Sequence, residues 1–87
     1  MVIESFKVSA TEIGERFRRH GRMLPSKVRY HASWINQSGT VCFQLMEAPD
    51  LKALKDWTAK WDDLAAFEIV PVLSSADFWA QYQSGDS

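Results

Sequence analysis

The amino-acid sequence predicts a single small α+β domain, in which two helices cover one face of an antiparallel four-stranded sheet. The chain has 87 residues, which is the size of one domain. Four short segments alternate between apolar and polar residues, as half-buried strands do, and two segments between them have helical spacing. The hydrophobic fraction of 46% and the charged fraction of 24% are typical of globular proteins.

The first strand and the first helix meet at Ser9. Residues Val2 to Val8 alternate with period two, which predicts a strand. Ser9 is followed three residues later by Glu12, which is the signature of a capping box. Gly21 is expected to end the helix, because it follows a basic last turn.

The middle of the chain predicts a β-hairpin. Strands from Lys27 to Asn36 and from Val41 to Glu47 flank the turn residues Gln37 to Thr40. A four-residue loop makes the numbers of paired residues add up to 77. The expected pairs are Trp34 with Phe43, Tyr30 with Glu47, and His31 with Met46.

The second helix opens at Pro49 and Asp50. Its apolar residues recur at helical spacing and include Trp57 and Trp61, so we expect both indoles to be mostly buried.

The fourth strand is predicted from Phe67 to Leu73. Pro71 inside it requires an edge position, because proline cannot donate a hydrogen bond to a neighbouring strand. Ser74 and Asp77 cap a short last helix. Residues 84–87 are expected to be a disordered tail, so the domain spans residues 1–83.

This order of elements, with right-handed crossovers, predicts a ferredoxin-like βαββαβ sandwich with strand order 4-1-3-2 and a short C-terminal helix. The fourth strand then lies at an edge, where Pro71 requires it. The first and third strands are expected to be parallel neighbours. An antiparallel pairing of the first and fourth strands, with residue numbers adding up to about 75, brings Lys7 to Glu68.

Alternation divides the sheet into two faces, and the more apolar face is expected to lie under the helices. A pocket between helices and sheet is one hypothesis, with carboxylates available for acid–base work. The alternative is that these carboxylates reach water near strand ends and that the tyrosine bonds a neighbour. The candidate pocket residues are Glu4, Tyr30, Trp34, Glu47, Trp57 and Trp61.

The other face mixes apolar and polar residues, which is typical of a subunit interface or of a wet barrel interior, and we predict a homodimer. An uneven charge distribution favours this interpretation. Residues 1–46 carry seven basic and three acidic residues, or +4, whereas residues 47–87 carry three and eight, or −5. The candidate dimer residues are Ile3, Arg29, His31, Ile35, Gln44, Met46, Val70 and Val72.

Several kinds of chemistry are not expected. Cys42 is the only cysteine, so an internal disulfide is excluded, and with no signal or membrane segment we expect a cytoplasmic protein. The spacing of His20, His31 and Cys42 is not that of metal ligands, and neither a metal nor a cofactor is expected; a nucleophilic pair of Cys42 with His31 is a minor alternative. The basic run from Arg16 to Arg29 lacks interleaved aromatic residues, so nucleic acid is not an expected partner.

Six segments spread over nearly the whole chain carry a resemblance to a known family. They are Met1–Phe6, Gly21–Pro25, Ser33–Trp34, Cys42–Glu47, Trp57 with Trp61–Leu64, and Phe67–Val72. In this order they resemble an uncharacterised family of short bacterial proteins, a domain of unknown function. The resemblance implies a ferredoxin-like fold of the dimeric α/β barrel type, and it implies no activity and no catalytic residues.

Three functions stay open. A homodimeric domain could bind a small apolar or aromatic ligand between helices and sheet. A non-catalytic interaction or regulatory module could act through its dimer surface. A cofactor-free monooxygenase or isomerase is the third, by analogy with the wider barrel superfamily. A cavity rimmed by Tyr30 and the tryptophans would favour binding or catalysis, and a solidly packed interior would favour the interaction module.

Overall fold

The computed structural model describes residues 1–83 and confirms the α+β class. The four strands, numbered in chain order, form a sheet in the order 2-3-1-4, which is the predicted order viewed from the other edge. The predicted tail, residues 84–87, lies outside the described residues. The elements are β1 (Val2–Phe6), α1 (Ala10–His20), β2 (Arg29–Ile35), β3 (Val41–Glu47), α2 (Leu51–Thr58), β4 (Ala65–Ile69) and α3 (Ser75–Gln83).

All three strand pairings are antiparallel, so the prediction that β1 and β3 run parallel is wrong. The connection through α1 leaves β1 and β2 in the same direction, and the hairpin that follows reverses β3. Because β3 is the neighbour of β1, these two strands must then be antiparallel.

Three of the predicted helix ends are confirmed. The Ser9 side chain accepts a hydrogen bond from the backbone N–H of Glu12 at 3.4 Å. Gly21 caps the C-terminus of α1 with a positive φ of 63°, a conformation that glycine adopts without strain. Asp50 caps α2 by accepting from the N–H of Ala53 at 2.9 Å.

The predicted hairpin register holds next to the turn and fails beyond it. Trp34 lies opposite Phe43, as predicted. An irregularity between Tyr30 and Ala32 then shifts the pairing by one residue, so that Tyr30 lies opposite Met46 and Arg29 opposite Glu47. The predicted pairs Tyr30–Glu47 and His31–Met46 are therefore wrong, because a β-bulge places one extra residue on β2.

The predicted contact between Lys7 and Glu68 is also wrong. Strand β4 starts at Ala65, earlier than predicted, and its register places Glu68 opposite Ile3. The ammonium group of Lys7 instead donates to the backbone carbonyl of Asp62 at 3.0 Å. Strand β4 does lie at the sheet edge, but Pro71 follows the strand rather than interrupting it.

The predicted division of the sheet into two faces is wrong for β3 and for most of β2. Glu4 of β1 lies opposite Cys42, so the even-numbered residues of β3 share its face. We call this side, which the helices cover, the helix face. The opposite side, which we call the open face, carries the apolar residues of β3 and of most of β2, which we expected under the helices. The helix face includes Val2, Glu4, Phe6, Ser33, Ile35, Cys42, Gln44, Met46 and Phe67; the open face includes Ile3, Ala32, Trp34, Val41, Phe43, Leu45 and Glu47.

The core lies on the helix face, around two indoles. Trp57 and Trp61 are only 2% and 4% exposed, which confirms the prediction that both are buried. Trp61 lies in the turn that follows α2 rather than in the helix itself. The N–H groups of both indoles donate to the backbone carbonyl oxygen of Arg22, at 2.7 and 3.1 Å. They pack with Val2, Val28 and Met46.

We predict that Trp61→Ala lowers the free energy of unfolding by about 3–5 kcal/mol, because it removes a buried ring and leaves a cavity. Trp61→Phe should cost less, since it keeps an aromatic ring and loses mainly the hydrogen bond to Arg22. The matched control is Leu51→Ala in the exposed first turn of α2, which should change stability by about 1 kcal/mol or less. Urea unfolding followed by circular dichroism measures all three. A Trp61→Ala variant with the wild-type midpoint would contradict the assignment of Trp61 to the core.

Candidate functional site: a cleft between the first helix and the sheet

The described helix α1 lies over the sheet without burying any of its own residues completely. Between its apolar stripe and the strands is an open cavity of about 280 Å³. Strand residues Glu4, Phe6, Ser33, Ile35, Cys42 and Gln44, helix residues Ala10, Ile13, Gly14 and Phe17, and Arg22, Trp57 and Trp61 line it. The cleft is therefore mostly apolar, with a few polar groups at its floor and end.

The most unusual of these polar groups is the carboxyl group of Glu4. Glu4 is only 6% exposed, and the Gln44 side chain donates a long hydrogen bond of 3.5 Å to it. Burial raises the pKa of Glu4 to about 7, and the positive charge of Arg22 opposes this shift in part. Near neutral pH this carboxyl group is therefore present in both protonation states and can donate or accept a hydrogen bond.

The guanidinium group of Arg22 lies at the end of the cleft between two rings. Its central carbon is 3.5 Å from the centroid of Tyr30 and 5.1 Å from that of Phe17. Stacking of this kind holds a guanidinium group in place while its N–H groups point outward in the plane. Its positive charge opposes the rise in pKa that burial causes at Glu4 and at Cys42, so it acts on both ionisable groups of the floor.

Cys42 does not have the environment of a nucleophile. Burial raises the pKa of its thiol to about 11, and the neighbouring Glu4 raises it further. The thiolate is the reactive form, so this cysteine is a small apolar filler of the floor. His31 is on the other side, where its Nε2 lies 3.0 Å from a carboxylate oxygen of Glu47, so the Cys42–His31 pair does not form.

Gly14 occupies the middle of α1, where glycine weakens a helix. A Cβ atom added at this position would meet no other atom within 4 Å, so packing does not require glycine here. Gly14 lines the cleft, and its missing side chain leaves more room between helix and sheet. Gly14 therefore lowers the stability of the helix by about 0.5–1 kcal/mol relative to alanine, and its missing side chain leaves the cleft open.

Helix α1 is held above the cleft by an ion pair on its outer side. The guanidinium group of Arg16 makes two hydrogen bonds of 2.6 Å to the carboxylate of Asp63, in the turn before β4. This contact lowers the pKa of Asp63. It joins α1 to the turn that contains Trp61, and so it helps to set the width of the cleft.

The structure brings together half of the predicted pocket. Glu4, Trp57 and Trp61 line the cleft, and Tyr30 adjoins it beneath Arg22, with its hydroxyl 2.6 Å from that of Ser33. Trp34 and Glu47 lie on the open face, so their assignment to the pocket is wrong. Glu47 is five residues along β3 from the partner of Glu4, or roughly 17 Å, which excludes a paired-carboxylate site.

The predicted dimer surface is divided in the same way. Ile3, Arg29 and His31 lie on the open side of the sheet. Gln44 and Met46 are buried on the helix face, and Ile35 is on that face too, so their assignment to the open surface is wrong. Val70 and Val72 lie in the segment after β4.

Sequence reasoning missed Arg22, Gln44 and Gly14 as cleft residues. The position of Gln44 in the cleft depends on the register of β3 with β1, which no local pattern in the sequence reveals. Of these three residues, only Gly14 had a signal in the sequence, as an isolated glycine inside a helical pattern.

We predict that Glu4→Gln changes how stability depends on pH. The pKa of Glu4 is about 7 in the folded chain against an ordinary value of 4.5. The folded state therefore holds this proton more tightly, and the wild type loses stability as pH rises between these values. The stability of the Gln variant relative to wild type should rise by up to about 3 kcal/mol from below pH 4.5 to about pH 8.

Urea unfolding across this pH range tests the prediction. The matched control is Glu68→Gln, which removes an exposed carboxyl group from β4. Its difference from wild type should show none of this pH dependence. Parallel profiles for Glu4→Gln and the wild type would mean that Glu4 is not held in a desolvated site.

Within residues 1–83, no cluster of three or more His, Cys, Asp or Glu residues could hold a metal ion. No helix in that range is both long and apolar enough to cross a membrane.

Comparison with known proteins supplies a family and no activity. No curated protein and no solved structure matches the chain. The sequence does match, over residues 1–85, the family described as Domain of unknown function (DUF3303). That match covers nearly the whole chain and agrees with the resemblance carried by the six segments. The chain therefore belongs to the DUF3303 family.

Proposed function

We propose that this protein binds a small apolar or aromatic ligand in the cleft between α1 and the sheet. The observation that carries the proposal is the unfilled apolar cavity under α1, which a helix glycine helps to keep open. A domain without such a ligand would gain stability by closing this space with a larger residue at position 14.

The volume of the cavity indicates the size of the ligand. Benzene fills an apolar cavity of about 150 Å³. The cleft, at about 280 Å³, has nearly twice that volume and suits two fused rings or a branched chain of similar bulk. The indoles of Trp57 and Trp61 supply flat apolar walls for such a group.

The polar groups indicate where the ligand carries its own polar atom. At a pH below its pKa, Glu4 is protonated and can donate a hydrogen bond to a carbonyl group of the ligand. At a pH above its pKa, Glu4 is ionised and can accept a hydrogen bond from a phenol O–H or an amide N–H. Arg22 favours an oxygen that carries partial or full negative charge. The favoured ligand is thus an aromatic or alicyclic compound with one hydroxyl or carbonyl group.

A second candidate is a cofactor-free monooxygenase or isomerase. The pKa of Glu4, about 7, favours it, because a general base works best when its pKa is near the working pH. Glu4 would accept a proton from carbon next to a carbonyl group, and Arg22 would stabilise the resulting enolate oxygen. We also propose, from the sequence predictions, that the chain forms a ferredoxin-like dimeric barrel and that it is a cytoplasmic protein.

The test uses 2-naphthol as probe and two-dimensional ¹H–¹⁵N NMR as readout. Binding in the cleft should shift the indole N–H signals of Trp57 and Trp61 and the side-chain amide of Gln44. We predict that Gly14→Leu, which fills the cleft from the helix side, weakens binding about tenfold or more, the effect of losing about 1.4 kcal/mol. Gly14→Ala should stabilise the fold by about 0.5–1 kcal/mol and keep most of the binding.

Thr11→Leu is the matched control, because it adds the same side chain to an exposed position of α1 outside the cleft. Equal loss of binding in both leucine variants would show that the probe binds elsewhere. Binding that Gly14→Leu leaves unchanged would contradict the proposed site. Oxygen consumption or a changed product spectrum with enolisable aromatic ketones would favour the enzyme over the binding protein.

A further inference from the structure

Arg22 is the one partly buried cation in the described part of the chain that has no acidic partner. Among the ten Lys and Arg residues only Arg16 and Arg22 are partly buried, and the others are exposed. Arg16 binds the carboxylate of Asp63. The guanidinium group of Arg22 makes neither an ion pair nor a hydrogen bond within the described chain, and its contacts are the rings of Tyr30 and Phe17. Withdrawing a charge from water is costly unless an opposite charge pairs with it.

The buried carboxyl group of Glu4 does not serve as this partner. It forms no ion pair with Arg22, and the hydrogen bond that it accepts comes from Gln44 at 3.5 Å. Burial raises the pKa of Glu4 to about 7, so a large share of this group is neutral near neutral pH. In that state the residues that line the cleft carry one positive charge, on Arg22, and no negative charge that balances it.

The other groups that surround Glu4 add no charge. Cys42 lies opposite Glu4 on β3, and burial raises the pKa of its thiol to about 11, so the thiol stays neutral. Phe67 lies opposite Glu4 on β4. The side chains that α1, β2 and the segment from α2 to the next turn contribute to the cleft have no ionisable group. The phenol of Tyr30, which contacts Arg22, is the nearest further group that titrates.

The hydroxyl group of Ser33 supplies a second donor beside Arg22. Ser33 lines the cleft, and its hydroxyl oxygen lies 2.6 Å from that of Tyr30. This hydrogen bond uses one of the two hydroxyl hydrogens, so the pair keeps one hydrogen that it can donate to a ligand. Tyr30 contacts both Ser33 and Arg22, which places the two donors at the same end of the cleft.

We propose that the ligand of the cleft is an aromatic or branched carboxylate, that its carboxylate group pairs with Arg22, and that Glu4 takes up a proton when this anion binds. The inference rests on the proposed ligand-binding function and adds the charge of the ligand and the control of binding by pH. A carboxylate matches the planar fork of a guanidinium group. A phosphate group is less suited, because it carries nearly two negative charges and the cleft offers one cation.

The proton and the ligand are coupled through the charge of Arg22. This charge opposes the rise in the pKa of Glu4. An anion bound to Arg22 cancels that effect and repels an ionised Glu4, so the pKa of Glu4 is higher in the complex than in the free protein. By linkage, the protonated protein binds the anion more tightly than the ionised protein does. The affinity for a carboxylate is therefore greatest below the pKa of about 7 and falls as pH rises above it.

The test compares 2-naphthoate with 2-naphthol, which has the same two rings. A carboxylic acid with a pKa of about 4 is ionised above about pH 6, whereas a phenol with a pKa of about 10 stays mostly neutral up to about pH 8.5. Isothermal titration calorimetry measures both dissociation constants. At the lower pH, naphthoate should bind about tenfold more tightly than naphthol, because a charge-assisted hydrogen bond is stronger than a neutral one. Its affinity should fall about tenfold by the higher pH, and that of naphthol by less than about threefold.

The same calorimetry counts the protons that binding takes up. Titrations at about pH 7.5 in two buffers with different ionisation enthalpies should show an uptake of more than about half a proton for each naphthoate bound. Glu4→Gln has no proton to gain at this position. This variant should take up none, and its affinity for naphthoate should be the same at both pH values. Glu68→Gln, the matched control on β4, should keep the wild-type uptake.

A pair of arginine variants locates the carboxylate. Arg22→Gln removes the charge and keeps the backbone carbonyl group that both indoles use. It should lower the preference for naphthoate over naphthol about tenfold or more. Arg18→Gln is the matched control, because it removes an exposed charge from α1 outside the cleft, and it should leave the preference unchanged.

The outcomes separate this inference from the ligand-binding function on which it rests. Binding of 2-naphthol in the cleft without a preference for naphthoate overturns the inference alone, whereas the absence of binding by both compounds overturns the ligand-binding function as well. Naphthoate binding whose pH dependence persists in Glu4→Gln overturns the role of Glu4. A preference that Arg18→Gln lowers as much as Arg22→Gln does would place the carboxylate on the outer surface of α1 and overturn the inference.

Discussion

The backbone carbonyl of Arg22 organises the functional half of this molecule. It accepts hydrogen bonds from both buried indoles, and so it joins the loop after α1 to α2 and to the turn that follows. A single carbonyl oxygen has two lone pairs and can satisfy two buried donors that would otherwise be costly to desolvate. The same residue extends its side chain over Tyr30 and Phe17 at the end of the cleft. Core packing and cleft electrostatics therefore depend on one residue.

The sheet carries polar side chains at buried positions, where a small domain most needs apolar ones. Glu4 and Gln44 occupy buried positions under the helices, while Trp34 and Phe43 are exposed on the other side. Burying a carboxyl group with one long hydrogen bond is unfavourable unless the group is neutral, and the raised pKa of Glu4 is the result. Proteins retain such groups mainly at functional sites, where a displaced pKa is useful. Stability alone would favour the opposite arrangement of the two faces.

Local patterns predicted the parts of the fold that local physics determines. Ser9, Gly21 and Asp50 end helices because their own side chains or backbone freedom satisfy the terminal groups, and these assignments are confirmed. Trp57 and Trp61 were identified as core from their spacing.

The cleft was harder to predict because it depends on pairing between distant strands. One bulge at His31 separates the correct partner of Tyr30 from the predicted one. The register of β1 with β3 places Gln44 rather than Phe43 beside Glu4. A one-residue change of register exchanges the faces of a strand. Two of the six candidate pocket residues, Trp34 and Glu47, were therefore assigned to the wrong side.

The loose packing of α1 also has a consequence for dynamics. The helix has no completely buried residue and is held by its two caps, by Ile13 and by the exterior contact of Arg16 with Asp63. Elements with few buried contacts open at a free energy well below that of global unfolding. Amide protons of α1 should accordingly exchange with solvent while the sheet stays intact. If α1 opens locally in this way, a ligand could enter the cleft between the helix and the strands without unfolding of the whole domain.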